Sequence, residues 1–220
     1  MDSVTSFIYG MSMMFFSMMA FLFWRKGKEM LFRMIMWLMI VVDLQLVKDM
    51  VFFLIYGFDN EHAWYLTSSL IIPFYSFVLM ELVKPGWFRW GKALMLELPF
   101  LLLPVFYIFT HNIIWFYVLS VWGAIYGCST FILLIFMIRR YHRQLKERFS
   151  YQENINLNWL LAILNTFFLI LFLWTLSCFV INVDYDNIYM VSSLILWMLI
   201  DYFVYRHESV IEELSDVEIV

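Results

Sequence analysis

Asp43, Gln45, Lys48 and Asp49 crowd the second of seven apolar runs, and Lys48 is the one Lys or Arg well inside such a run. An ionised side chain at mid-bilayer costs roughly 2.5–3.5 kcal/mol on insertion scales, so these groups must pair, meet water or bind a ligand. At about 100° per residue, Gln45, Lys48 and Asp49 share an arc roughly 100° wide, while Asp43 points elsewhere. Lys48 and Asp49 are neighbours that diverge around a helix, so each is expected to find its partner on another helix or in a ligand.

The third run contributes Ser69, Pro73 and Ser76 on one face. Proline has no N–H, so Pro73 frees a backbone carbonyl one turn earlier. Gln45, Lys48, Asp49, Ser69, Pro73 and Ser76 are thus expected either to line an outer ligand pocket or to form a polar clasp between two helices.

A second polar tier comprises Glu81, Glu97, Asn165 and Asp201. Trp197, Asp201 and Tyr205 recur at four-residue steps and form a stripe near the exit of the last run. With Asn165 or Glu97 as a partner for Asp201, this stripe is the expected route for a signal. Glu81 and Glu97 lie near the boundary, where headgroups, Lys84 or Arg89 are expected to meet them. Gly123 and Gly127 form a GxxxG pair, flanked by Ser120 and Ala124, suited to close packing within a bundle or to a homodimer seam.

Enzyme signatures are missing from the sequence: there is no HExxH, GxSxG or Walker loop, and no cluster spaced to ligate a metal. A non-enzymatic protein with no cofactor or metal is expected. The cysteines, Cys128 and Cys178, differ in expected depth by roughly 20 Å at about 1.5 Å per residue, which precludes a disulfide.

The elements that must position these residues follow from composition. The 220 residues are 64% hydrophobic and 21% aromatic, more apolar surface than one soluble core can bury. The runs cover residues 6–24, 34–56, 64–83, 93–109, 113–138, 159–180 and 188–205. Each is near the roughly 20 residues that a membrane-crossing helix needs. An all-α, seven-transmembrane-helix bundle is expected over residues 1–206, followed by an acidic tail or linker stub over residues 207–220. Without dyad alternation, no β-barrel is expected.

Orientation follows from charge. Arg25, Lys26 and Lys28, then Lys84, Arg89 and Lys92, then Arg139, Arg140, Arg143, Lys146 and Arg148, and finally Arg206 occupy alternate gaps, with Arg33 just inside the second run. Basic residues stay on the cytoplasmic side, so the N-terminus is expected outside and the C-terminus inside. The formal net charge of −4 suggests no nucleic-acid partner. Tyr141, Leu145 and Phe149 suit a basic helix at the membrane surface, and Ser150 with Glu153 has the spacing of a capping box.

The Lys48-Asp49 pair, the stretch PFYSFVLMELVKPG from Pro73 to Gly86, the Pro99-Phe100 step and the segment RFSYQENINLNWL from Arg148 to Leu160 together resemble the seven-helix sensor module of bacterial membrane-bound AraC-type transcription regulators. The resemblance runs from the second run to the start of the sixth. It implies signal reception in the cytoplasmic membrane of a bacterium and output through the seventh helix, and it supplies no ligand. The sequence ends at Val220 without a DNA-binding or kinase domain, so the expectation is a truncated sensor module or one that acts on a separate cytoplasmic protein.

These residues therefore lead to a receptor that binds a small or lipid-soluble signal and passes it to a cytoplasmic output domain or partner. The alternatives are a small transporter or ion pathway, which would reuse the same charges, and a structural membrane partner subunit. Against transport, the sequence has no internal repeat and no matched pair of broken helices.

Overall fold

The computed structural model describes residues 3–26, 30–56, 61–84, 86–148, 158–179 and 183–206. These residues form helices α1 (Ser3–Lys26), α2 (Met30–Tyr56), α3 (Glu61–Ser68), α4 (Ile71–Val83), α5 (Trp90–Thr110), α6 (Ile114–Arg148), α7 (Asn158–Phe179) and α8 (Val183–Arg206), with no strand among them. Helices satisfy their own backbone hydrogen bonds, which hydrocarbon cannot do for them. Seven segments are long and apolar enough to cross a membrane, α3 and α4 jointly supplying the third.

The third span is the axis of the bundle. Within its apolar window 78% of residues are buried, against 17–44% in the other six. Its α4 half packs on α2, α5, α6 and α7. Phe7, Met95, Phe109 and Phe136 lie on the outside, exposed. An apolar exterior around a tightly packed interior is the arrangement a lipid solvent demands.

α1 and α8 run parallel. Thr5 near the start of α1 accepts a 3.0 Å hydrogen bond from Asn187 Nδ2 near the start of α8. Further along, Phe16 meets Trp197 with ring centroids 5.8 Å apart, and Phe23 meets Tyr205 at 5.5 Å. The end where both helices begin is the entry end, and the end where α8 leaves is the exit end.

Several boundaries differ from the hydropathy pattern. α8 begins at Val183, so Asp184 and Asp186 occupy its first turn, where carboxylates favour the helix dipole. α6 continues past its apolar run to Arg148, which realises the expected extension, and α5 passes uninterrupted through Pro99 and Pro104. The third span breaks at Ser69 and Leu70. There the Ser69 carbonyl, four residues before Pro73, accepts from Ile72 N at 3.1 Å. The capping-box residues Ser150 and Glu153 and the tail 207–220 lie outside the described residues.

Candidate functional site

α2 grips the third span just before its break. Lys48 Nζ donates to Ser68 Oγ at 2.7 Å and to Thr67 Oγ1 at 3.0 Å, while Gln45 Nε2 donates to the Thr67 carbonyl at 3.3 Å. Lys48 Nζ also lies 2.8 Å from Asp49 Oδ1. This corrects the expectation that helical divergence keeps these neighbours apart, because a four-carbon lysine stem can swing its ammonium around the helix. Asp43 does face elsewhere, and its Oδ2 accepts from Ser17 Oγ of α1 at 2.6 Å.

Beside this grip lies a cavity of about 90 Å³ in the entry half of the bundle. Gln45 and Asp49 line it from α2, Tyr65 and Ser68 from α3, Tyr75 from α4, Tyr9 from α1, Trp174 and Ser177 from α7, and Asp186 and Tyr189 from α8. Gln45 Oε1 is buried with no hydrogen-bond partner among the described residues. Lys48 does not itself line the cavity but contacts Asp49 and Ser68, which do.

The six residues expected to share one pocket are divided. Ser69 turns its hydroxyl to the Leu66 carbonyl at 2.6 Å and lines a separate crevice of about 230 Å³ between α6 and α7. Pro73 is buried in packing. Ser76, one turn further on, lines a void of about 30 Å³. Both voids lie against α6 and α7 and share Ile72, Gly127, Phe168 and Leu171, so Ser69 and Ser76 are separated by depth. Tyr9, Tyr65, Tyr75, Trp174, Tyr189 and Asp186 were not legible as site residues; the available signal was tyrosine recurring inside apolar runs, where its hydroxyl needs a partner.

Two contacts join the cavity wall to α8. The Tyr65 hydroxyl donates to Asp186 Oδ1 at 3.4 Å. The Tyr75 ring meets Trp197 with centroids 5.7 Å apart, and Trp197 also packs against Phe16 and Phe167. One turn beyond, Asp201 is 4% exposed and neither carboxylate oxygen has a hydrogen-bond partner among the described residues. Asn165, expected to supply one, is instead exposed. At the exit end Lys26 Nζ sits 3.8 Å above the Tyr205 ring, a cation–π contact.

Glu81 also departs from expectation. It is 4% exposed, and its two oxygens accept the backbone N–H groups of Gly86 and Phe88 at 2.7 and 2.8 Å. It pins the α4–α5 turn where a headgroup contact was expected. Gly123 faces Ile72 and Phe100, and a Cβ on Gly127 would lie 3.2 Å from Leu171 Cδ2. The GxxxG face therefore packs within the bundle.

Among the described residues, no group of three or more His, Cys, Asp or Glu side chains could hold a metal ion. What the cavity offers is carboxylate, amide and hydroxyl groups among aromatic side chains, suited to holding a small polar molecule next to α8. No protein-family model, curated protein or solved structure matches the chain.

Proposed function

We propose that this protein is a membrane-embedded sensor module whose cavity receives a small or lipid-soluble signal and whose last helix carries that signal to a cytoplasmic output domain or partner, with transcriptional control as the outcome. The observation that carries this reading is the pair of contacts from one cavity wall to α8, Tyr65 to Asp186 and Tyr75 to Trp197. A ligand that rearranges the wall must alter one or both. For a response, it must also bind two packings of α8 with different affinity.

The orientation proposed with it places the exit end in the cytoplasm and the entry end outside, because Arg25, Lys26, Lys84, Arg139 and Arg140 fall at the ends of one alternating set of spans. The setting is the cytoplasmic membrane of a bacterium. A second reading, a solute pathway, draws on the broken third span beside Lys48, since interrupted helices line transporter sites.

The test uses spin labels at the exposed positions Trp24 and Tyr202, introduced as cysteines after Cys128 and Cys178 are replaced by serine, in nanodiscs. The sensor reading expects Tyr65→Phe and Asp186→Asn to shift the Trp24–Tyr202 distance distribution. Unshifted distributions together with solute flux in proteoliposomes would favour the pathway.

A further inference from the structure

We propose that the entry-half cavity recognises an alkylammonium group, through the Asp186 carboxylate that attracts it and aromatic rings that enclose it. This inference rests on the reading of the cavity as the ligand site and names the chemistry of that ligand. Two carboxylates, Asp49 and Asp186, line the cavity, and among the described residues no Lys, Arg or His does. Lys48 Nζ lies 2.8 Å from Asp49 Oδ1 and bonds Thr67 and Ser68, so its charge offsets that of Asp49 and Asp186 carries the attraction.

Five rings, those of Tyr9, Tyr65, Tyr75, Trp174 and Tyr189, complete the wall from α1, α3, α4, α7 and α8. Aromatic faces carry negative quadrupole density, and rings converging from several directions are the known way of enclosing an ammonium group too weakly hydrated to be held by water. Gln45 adds an acceptor, Oε1, that is buried and has no hydrogen-bond partner among the described residues. An anionic ligand would be repelled by the Asp186 carboxylate in the wall.

Size is consistent with this class. About 90 Å³ is well above the roughly 10–15 Å³ that a single water requires, and it is small enough to select a compact headgroup over a large solute. The cavity lies among spans long enough to cross a membrane, so the low-dielectric surroundings strengthen the attraction of a carboxylate for a cation. The same chemistry is available from a free amine and from the ammonium headgroup of a lipid.

The experiment measures thermal unfolding of the full chain in phosphatidylglycerol nanodiscs with added tetramethylammonium chloride, against sodium chloride at equal ionic strength and sodium acetate as an anionic probe. A second arm replaces part of the lipid with phosphatidylcholine or phosphatidylethanolamine. Saturable stabilisation by tetramethylammonium alone identifies a free cation as the source, and stabilisation only by the ammonium lipids identifies a headgroup. In either case Asp186→Asn is expected to weaken binding by about tenfold, equivalent to about 1.4 kcal/mol.

Tyr189→Phe, which keeps the ring, is expected to retain binding, and Tyr189→Leu to weaken it. These variants decide the matter if Asp186→Asn fails to fold. Stabilisation by neither source, or stabilisation by acetate, overturns the proposal. Because the Trp24–Tyr202 distance is read without any ligand, the sensor reading can stand or fall separately.

Discussion

Tyr65 and Asp186, on helices far apart in sequence, meet through a 3.4 Å hydrogen bond from the tyrosine hydroxyl to Oδ1. The bond joins the short α3 half of the broken third span to the first turn of α8. A long hydrogen bond of this kind is weak enough to exchange partners. Below it, Trp197 is fixed among Tyr75, Phe16 and Phe167. α8 is therefore held by a firm aromatic pivot in its middle and an exchangeable polar tie at its start, and a change at the tie would be expressed as a tilt.

Lys48→Met should destabilise the bundle by about 3–5 kcal/mol, since it leaves Asp49 as a largely buried charge without its ammonium partner. Lys48→Met combined with Asp49→Asn should recover much of the loss. Thermal unfolding of the single and double variants in nanodiscs checks this; equal losses would mean that the contacts of Lys48 to Thr67 and Ser68 dominate.

Glu81→Gln should cost about 1–3 kcal/mol, because a carboxylate accepting two backbone N–H groups is replaced by an amide with one acceptor oxygen. Hydrogen exchange at the Gly86 and Phe88 amides should accelerate while exchange in α1 is unchanged. Unaltered protection at those two amides would show that the turn is held by other contacts.

Gly123→Ala should be neutral or stabilising by up to about 1 kcal/mol, since the added Cβ meets only ordinary contacts and alanine favours helix. Gly127→Ala forces Leu171 to yield and should gain less. Gly127→Leu should cost about 1–3 kcal/mol by overpacking. Melting temperatures should rank Gly123→Ala above Gly127→Ala and both above Gly127→Leu. If Gly127→Leu instead keeps its melting temperature but alters particle mass in native mass spectrometry, the glycines face a second copy.

Asp201→Leu should raise stability by about 1–3 kcal/mol, because it removes a buried carboxylate that has no hydrogen-bond partner among the described residues. Asp201→Asn should leave two buried polar atoms to satisfy and gain nothing. A lower melting temperature for Asp201→Leu would show that the carboxylate is partnered in the membrane.

The spans were legible because their signal is a sum over some twenty residues, which local polar exceptions cannot erase. The divergence of Asp43 from Gln45, Lys48 and Asp49 was legible too, from helical angle alone. Other features were not. The break at Ser69 and Leu70 lies at the carbonyl that Pro73 leaves without its helical donor, and hydropathy does not mark it. Ser69 and Ser76 face the same pair of helices, α6 and α7, at different depths and so line separate voids. Asp186 read as part of a polar gap because charge masks the start of a helix, and Asn165 read as an inward group because a polar residue in an apolar run invites that inference. Glu81 read as interfacial from its depth, yet the backbone N–H groups of the turn bind it more completely than headgroups would.

The account stands most directly on the distance between spin labels at Trp24 and Tyr202, measured by pulsed dipolar spectroscopy in nanodiscs for the wild-type cavity, Tyr65→Phe and Asp186→Asn. Release of the tie at the start of α8 should displace its exit end, so both variants should shift the distribution in the same direction. Three superimposable distributions would contradict the coupling of cavity to α8, and with it the sensor reading.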